Sequence, residues 1–577
     1  MNEQLSFEIE SKPPIKGFPE LRWTGKRPYK STLYYPAQPR ERFGKTADNG
    51  WINRLFWGDN LQVMSHLLKE YRGKINLIYI DPPFDSKADY KKSISLKNKT
   101  ATTDSTSFEE KQYGDIWTND EYLQFMYERL LLMRELLADN GSIYLHCDWH
   151  KSHYLRCIMD EVFGVDRFLN EIVWYYRRWN IAGKSYATNH DTLLFYAKTN
   201  SHTYNQLYIP KSEKSSAQGK SWKSVIGEDG IRRSIQTDEP TKGVPMPDVW
   251  EISMINPVAK ERTEVGYPTQ KPEALIERVI LASSNPGDIV FDCFMGSGTT
   301  QAVAMKLGRR FIGADINLGA IQTTIKRLIA LADDINQSEI DENPKYTSFE
   351  VFNVNNYDFF RNPVEAKQLL IDALEIQAFP QGNVYDGEKD GRMVKIMPVN
   401  RIATKADLEE LKANLPYKTF ERRREENPSA PVERITIVCM GHEPDLQASL
   451  EMELSEYKID IQISDVLRDR AELTLKREAE ADIAVEGDRL VIRQFYPLNL
   501  MQKLSIQREY VEDWRQLVES IMIDWNYDGA VMEPSVTDVP DKNELVEGIY
   551  DIPKNAGTVK VKITDLLSES LEVKVRV

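Results

Sequence analysis

The 577-residue sequence has few cysteines and no long apolar run, and both absences exclude classes of protein. Its four cysteines include no CxxC pair, so the sequence supports neither a disulfide framework nor a thiolate zinc site. No apolar run reaches the roughly 18 residues that a membrane-spanning helix needs, and the first residues lack the pattern of a signal peptide. No internal repeat is visible, which excludes solenoids and propellers. We therefore expect a soluble protein of a reducing cytoplasm, without a membrane partner.

The net charge of −15 would disfavour a nucleic-acid partner only if it were evenly spread. Residues 401–577 carry 24 Lys and Arg against 36 Asp and Glu, whereas residues 167–235 carry 11 against 5. The basic stretch is interleaved with aromatic residues, as in the run from Trp174 to Trp179. Such tryptophans are most often part of a sheet core, but Arg177 and Arg178 between them point toward a phosphate backbone.

Hydrophobic periodicity predicts alternating strands and helices in two blocks of the chain. In the first block, an apolar strand ends at Ile80, and the hydrophilic stretch 85–114 that follows is typical of a loop. Periodicity fails between about residues 181 and 255, which indicates an insertion. The second block contains a βαβ unit over residues 289–313, and short strands with intervening helices after residue 345 indicate an α+β region.

A glycine turn follows the strand that ends at Asp292. The run from Phe291 to Thr300 contains Gly296 and Gly298 just before a helix, where glycines let a ligand approach the backbone and the helix start offers free N–H groups. Alone, this Gly-x-Gly is equally typical of a tight turn without a ligand. The third glycine of a dinucleotide fingerprint is missing, which disfavours a dehydrogenase. Asp315, after the next strand, would suit a ribose or a helix N-cap.

An Asp-Pro-Pro-Phe run, Asp81 to Phe84, ends the first apolar strand. An exocyclic amino group on a base is a poor nucleophile, because its lone pair is delocalised into the ring. Hydrogen bonds from its two protons to the Asp81 carboxylate and the Pro82 carbonyl would localise that pair. Pro83 would fix the turn, and Phe84 would stack on an extruded base. The alternative is a proline-terminated strand with a capping Asp.

Together these motifs resemble a known family. The Asp-Pro-Pro-Phe run comes first, the run Tyr267 to Pro272 second and the glycine turn third. This order resembles the β class of S-adenosylmethionine-dependent DNA amino-methyltransferases, and the chain is similar to modification (Mod) subunits of type III-like restriction-modification systems over about residues 20–335. The resemblance implies an α/β fold: a circularly permuted Rossmann-like methyltransferase domain with an inserted target-recognition region and a C-terminal α+β region.

The resemblance also implies roles for individual residues. Asp81, Pro82, Pro83 and Phe84 would be catalytic, and an Asp at the head of the motif is similar to adenine-N6 rather than cytosine-N4 enzymes. The residues expected to bind S-adenosylmethionine are Asp59, Thr269, Gln270, Lys271, Asp292, Phe294, Gly296, Gly298 and Asp315. Within this set Lys271 would lie against the cofactor carboxylate, and Asp59 would approach the adenine unless it only forms a surface turn. Cys293 stands where the family usually has proline.

The predicted domains are an N-terminal arm (1–50), two methyltransferase parts (51–180 and 256–335), a target-recognition insert (181–255) and a C-terminal region (345–577) that would serve a partner or dimer interface. The residues expected to contact DNA phosphates are Arg177, Arg178, Lys211, Lys214, Lys220, Lys223, Arg232 and Arg233. The expected partners are double-stranded DNA, a restriction-endonuclease subunit and a second copy of the chain, in a prokaryotic, nucleoid-associated setting.

Other interpretations remain open at this point. The target could be cytosine N4 or an amino group of RNA, or the protein could be a DNA-reading adaptor that recruits a nuclease through its acidic C-terminal region. His146, Cys147, Asp148, His150 and His153 lie close together, but their spacing is not that of a zinc pair, so we expect no metal. Packing at a strand end and a phosphate contact are the more common roles of such histidines.

Overall fold

A computed structural model provides the three-dimensional structure. The residues that it describes are 6–10, 20–44, 50–83, 89–95, 107–114, 119–176, 184, 186–210, 221–226, 231–237, 243–255, 269–337, 345–354, 367, 370–371, 374–380, 383–398, 403, 405–413, 415–427, 430–442, 446–466, 479–506, 511–541 and 544–576. No helix in this described part of the chain is long and apolar enough to cross a membrane.

Strands outnumber helices in the described part of the chain, both before and after residue 354. The strands are β1 (Ser6–Glu8), β2 (Ser31–Leu33), β3 (Ala37–Phe43), β4 (Asn53–Trp57), β5 (Ile75–Ile80), β6 (Asp89–Ser95), β7 (Ser107–Gly114), β8 (Leu137–Cys147), β9 (Phe168–Tyr175), β10 (His190–Ala197), β11 (Tyr208–Ile209), β12 (Ser221–Ile226), β13 (Arg232–Thr237), β14 (Val244–Pro245), β15 (Val249–Glu251), β16 (Ile289–Asp292), β17 (Arg310–Asp315), β18 (Phe349–Val354), β19 (Gln377–Ala378), β20 (Gly387–Lys389), β21 (Arg392–Ile396), β22 (Arg434–Cys439), β23 (Asp460–Asp465), β24 (Glu480–Glu486), β25 (Arg489–Tyr496), β26 (Val518–Asp524), β27 (Val536–Asp538), β28 (Ile549–Asp551), β29 (Thr558–Asp565) and β30 (Ser570–Arg576). The helices are α1 (Asn60–Tyr71), α2 (Asn119–Leu136), α3 (Ser152–Phe163), α4 (Glu273–Ser283), α5 (Thr299–Lys306), α6 (Leu318–Gln337), α7 (Lys405–Ala413), α8 (Tyr417–Glu426), α9 (Leu446–Glu453) and α10 (Leu498–Ile506).

A ten-stranded mixed sheet forms the centre of the fold, in the order β15-β9-β10-β8-β5-β16-β17-β4-β18-β3. The six strands from β8 to β18 in this order run parallel to their neighbours. Strand β5 shows why they lie inside: Ile78 and Ile80 pack into one hydrophobic cluster, and Leu77 and Tyr79 into the other. Because alternate side chains point to opposite faces, both faces of the sheet are covered. Helices α1 to α3 contribute to the first cluster and α4 to α6 to the second.

Strands that lie far apart in the chain join the central sheet across the predicted domain boundaries. Strand β3, from the predicted arm, pairs with β18, from the start of the predicted C-terminal region. Strand β10, from the predicted insert, lies between β8 and β9, and β15 pairs with β9. The apolar run of β10 places five buried residues, Leu193 to Ala197, in the core. Strand β10 lies far along the chain from the other motifs, so its place in the central sheet was not predicted.

Two parts of the stretch 85–114, residues 89–95 and 107–114, form strands where a loop was predicted. Strands β6 and β7 pair with each other as an antiparallel hairpin. Such a hairpin satisfies backbone hydrogen bonds between its own two strands, so it can form from a hydrophilic sequence that carries little apolar periodicity.

In the described part of the C-terminal region, the strands form the sheets β19-β20-β21-β22-β23, β24-β25-β28 and β27-β26-β29-β30. The last of these docks on the edge of the central sheet through strand β3. The backbone N–H of Arg42 donates to the carbonyl of Met532 at 2.9 Å, and a buried ion pair joins Glu41 to Lys562. The C-terminal region is therefore in direct contact with the edge strand of the central sheet.

Candidate active site

The Asp-Pro-Pro turn and the glycine loop lie at the same edge of the sheet. Strands β5 and β16 are parallel neighbours, with Val290 beside Leu77 and Phe291 beside Ile78. Strand β5 ends at Ile80, and the prolines after Asp81 have no N–H groups with which to extend the ladder. Asp81 and the loop after Asp292 therefore emerge side by side at the carboxyl edge, where open α/β sheets place their ligand sites.

The glycine loop, residues 293–298, is held by two carboxylates, of which Asp292 is buried. Asp292 accepts hydrogen bonds from the backbone N–H of Phe294 at 2.9 Å and from the Thr300 hydroxyl at 2.6 Å. Asp315 accepts one from the N–H of Gly296 at 2.9 Å. Burial raises the pKa of Asp292 to about 7 and that of Asp315 to about 6. Both carboxylates thus hold the loop by its own backbone.

Both the backbone conformation and the nearness of Thr324 require a glycine at position 298. Its φ of +70° lies in the left-handed region, and a Cβ atom there would approach the Thr324 Oγ1 to 2.6 Å. Gly296 also has a positive φ, of 50°. The loop therefore turns tightly against α6 and leads directly into α5.

Asp59 caps helix α1 beside the glycine loop. Its Oδ1 accepts the backbone N–H of Leu61 at 3.0 Å, and its Oδ2 pairs with the Arg129 guanidinium at 3.1 Å. Asn60, which also contacts Arg129, donates to the carbonyl of Cys293 at 3.4 Å. Sequence reasoning missed Asn60 and Arg129; a buried arginine within the apolar helix α2 is the signal that could have identified the second.

Asp81 pairs with Lys271, and together they define what we call the acidic corner, residues 81, 270 and 271. The Lys271 ammonium group donates to Asp81 Oδ2, 190 positions away in the chain. Asp81 Oδ1 is buried and has no hydrogen-bond partner among the described residues. Gln270, which is 6% exposed, likewise has both side-chain amide atoms buried without a partner there. The corner therefore holds polar atoms that a ligand could satisfy.

A hydrogen-bonded set of side chains lies behind Asp81. His146 Nδ1 is 3.9 Å from Asp81 Oδ1 and 2.7 Å from the Tyr79 hydroxyl, and its Nε2 is 3.4 Å from Asp191. The Tyr176 hydroxyl donates to Asp191 at 2.9 Å. Burial alone would raise the pKa of Asp191, but His146 beside it, together with the Lys271 charge and the Tyr176 hydroxyl, lowers that pKa below its usual value.

From the sequence, His146 is expected only to pack at a strand end or contact a phosphate, and Asp191 is not among the predicted site residues. His146 has no exposed surface and packs edge-on against Trp174, which confirms that this tryptophan belongs to the core. The signal available for Asp191 was an acidic residue directly before the apolar run of β10.

Several expected site residues lie outside the described part of the chain. They are Phe84, Arg177, Arg178, Lys211, Lys214 and Lys220. Lys223 belongs to strand β12, which pairs with β13 in a hairpin; Arg232 and Arg233 on β13 are exposed. Pro82, Pro83 and Thr269 are described and flank the acidic corner along the chain.

Comparison with known proteins identifies a related family. The family model described as DNA methylase, of the N6 and N4 type, matches residues 75–326. This span includes β5, the acidic corner, β16 and the glycine loop. It ends within helix α6, so the C-terminal sheets lie outside it.

Individual relatives match about half of the chain. The type II methyltransferase M.EcaI of Enterobacter cloacae is 30% identical over 48% of this chain and 69% of its own length. The DNA adenine methyltransferase YhdJ of Escherichia coli is 28% identical over 50% of this chain and 84% of its own. The Mod subunit of the type III restriction-modification enzyme StyLTI of Salmonella typhimurium is 26% identical over 49% of this chain and 55% of its own.

Proposed function

This chain belongs to the family of N6 and N4 DNA methylases, and from that premise we propose that it methylates adenine N6 in double-stranded DNA as the modification component of a restriction-modification system. The observation that carries the proposal is the position of Asp81 beside the glycine loop, at the carboxyl ends of adjacent parallel strands. One loop can hold a methyl donor there while the neighbouring carboxylate faces a target base.

The site contains groups that fit S-adenosylmethionine, the methyl donor of this family. Its methionine end carries an ammonium and a carboxylate group. The two buried amide atoms of Gln270 that lack partners among the described residues suit these groups, because the oxygen can accept from the ammonium and the nitrogen can donate to the carboxylate. The left-handed glycines of the loop allow close approach of a ligand to the backbone. We assign cofactor binding to Thr269, Gln270, the glycine loop, Asp315 and Asp59. When bound, S-adenosylmethionine supplies an electrophilic methyl group.

Asp81 would activate the amino group of the target base. Its carboxylate accepts a hydrogen bond from one amino proton, and the Pro82 carbonyl accepts the other, so the nitrogen lone pair is freed from conjugation with the ring. The same carboxylate can take up the proton that the nitrogen loses. Catalysis is then mainly positioning and polarisation of two reactants. Phe84 is proposed to stack on the extruded base, a contact worth about 1 to 3 kcal/mol in other proteins.

Adenine is the proposed base because Asp heads the Asp-Pro-Pro-Phe motif, and because one relative is named a DNA adenine methyltransferase. Cytosine N4 would present a similar amino group to the same carboxylate, so product analysis must distinguish the two bases.

DNA recognition is assigned to the part of the predicted insert that lies outside the central sheet. Arg232 and Arg233 are exposed on the β12–β13 hairpin, and basic side chains of this kind contact phosphates. The proposal retains a circularly permuted methyltransferase domain, in which the catalytic strand β5 precedes the cofactor strand β16 in the chain although the two are neighbours in the sheet. Similarity to a Mod subunit supports a restriction-endonuclease partner.

The test is methyl transfer from tritiated S-adenosylmethionine to bacterial DNA, followed by mass analysis of the nucleosides. We expect N6-methyladenine in the product. N4-methylcytosine would overturn the proposed base but not the family, and absence of transfer to any DNA by a protein that binds the cofactor would overturn the proposed activity.

A further inference from the structure

We propose that Lys271 is a positioning residue whose ammonium group occupies the place of the target amino group on Asp81 until the base displaces it. This inference rests on the proposed function, because it specifies how the same carboxylate is kept ready for its substrate. It makes the Asp81–Lys271 ion pair a resting arrangement of the site rather than a permanent part of the fold.

The two oxygens of Asp81 have different surroundings. Oδ1 is buried and faces His146, whereas Oδ2 carries the Lys271 ammonium group. Because Oδ1 is buried, Oδ2 is the oxygen that a ligand arriving from outside would reach, in exchange for Lys271. An amino group and an ammonium group both donate N–H to a carboxylate oxygen, so the target nitrogen and Lys271 Nζ would compete for the same acceptor.

The charges around Asp81 explain why a cation is needed there. Asp191 lies behind it on β10 and Asp292 beside it on β16, and the charge of Asp81 contributes to the raised pKa of Asp292. The polar groups that face this cluster from the other packed strands are Tyr79, His146, Cys147 and Tyr176. Lys271 acts on two of the carboxylates, since its charge also lowers the pKa of Asp191.

The ion pair is largely removed from water, which makes loss of one partner costly. The side chains of Lys271 and Asp81 are 14% and 18% exposed. Removal of one member of such a pair leaves the other charge without compensation, whereas removal of both relieves it. The free protein should therefore show strong coupling between these two positions, and a complex in which the base has displaced Lys271 should not.

The experiment is a double-mutant cycle on the full chain with Lys271→Met, Asp81→Asn and the double variant, measured by thermal unfolding. In the free protein, Lys271→Met should lower the midpoint by about 2 °C or more, and the double variant should recover much of that loss. With S-adenosylhomocysteine and a duplex that the wild-type protein methylates, the coupling should fall to near zero. Lys306→Met, which breaks the partly exposed pair with Glu273, is the matched control, and its effect on the unfolding midpoint should be the same in the two conditions.

Absence of coupling in the free protein would overturn the inference, because the Asp81–Lys271 ion pair would then not stabilise the free protein. Coupling that persists unchanged in the complex would also overturn it, because Lys271 would not have been displaced. These outcomes are separate from failure of the proposed function: wild-type protein that transfers no methyl group and binds no duplex refutes the activity, while the free-protein cycle still reports on the pair.

Discussion

The glycine loop and the acidic corner lie side by side at one edge of the sheet, yet they differ in how their polar groups are satisfied. In the loop, Asp292 and Asp315 bind backbone N–H groups and a neighbouring hydroxyl of the loop and helix α5. In the corner, Asp81 Oδ1 and both amide atoms of Gln270 are buried without partners among the described residues. The loop is complete in itself, whereas the corner is completed by what it binds.

This difference indicates a division of labour. A loop that binds through its backbone must already be in place, and internal hydrogen bonds keep it so. A catalytic corner must keep acceptors for groups that arrive later: Lys271 holds Asp81 Oδ2 until the base arrives, and the amide atoms of Gln270 are left for the cofactor. We therefore expect changes in the loop to weaken cofactor binding and changes at Asp81 to slow methyl transfer.

Asp81→Asn should have the largest effect. The amide cannot polarise the amino group as a carboxylate does or accept its proton, so the single-turnover rate should fall by about 10²- to 10³-fold. Cofactor affinity should stay within about threefold, measured by titration calorimetry. Asp148→Asn is the control, since Asp148 also follows a central strand but bonds to His150; its rate should stay within about threefold. An equal loss in both variants would contradict a special role for Asp81.

Asp292→Asn tests how the buried Asp292 carboxyl group affects stability. The measurement is the pH dependence of the free energy of unfolding. The pKa of Asp292 is raised by burial to about 7, above its ordinary value, so its contribution to stability is fully present below about pH 4 and is lost as the pH rises through 7. The free energy of unfolding of the variant should therefore rise relative to wild type between pH 4 and 8, by about 4 kcal/mol. Asp315 is present in both proteins. Parallel pH curves would mean that Asp292 is not protonated in the folded protein.

Gly298→Ala should damage the loop by sterics. A Cβ atom would be close to Thr324 in a left-handed backbone, so we expect a loss of about 1 to 3 kcal/mol in stability and about tenfold in cofactor affinity. Gly73→Ala is a matched control, because Gly73 has a φ of +69° and no atom lies within 4 Å of the position that a Cβ would take. It should cost about 1 kcal/mol in stability and leave cofactor affinity unchanged. Equal cofactor affinities in the two variants would argue against the loop as the donor site.

His146→Asn should have the smallest effect, about a tenfold slower transfer step with unchanged cofactor affinity, because His146 acts on Asp81 from behind. Asp191→Asn should resemble it, and the two changes together should cost little more than one, since both break the same hydrogen-bonded set. Rates that multiply in the double variant would show that the two residues act independently.

The arrangement of the strands at this edge could be predicted from the sequence, but the contacts between side chains could not. Apolar runs ending at Ile80 and Asp292 identify two buried strands, and parallel strands place their ends at one edge. Nothing in the sequence shows that Lys271 meets Asp81, because they belong to separate segments and the ammonium could equally face a ligand. Likewise, His146 was recognised as a strand-end residue, yet its link to Asp191 depends on β10 joining β8.

The most direct test of the division of labour is the single-turnover rate of methyl transfer as a function of S-adenosylmethionine concentration, in wild type, Asp81→Asn and Gly298→Ala. We predict that saturating cofactor restores Gly298→Ala to within about threefold of wild type but leaves Asp81→Asn at its low rate. Restoration of Asp81→Asn by cofactor, or a Gly298→Ala defect that no cofactor concentration repairs, would contradict the assignment of donor binding to the loop and base activation to Asp81.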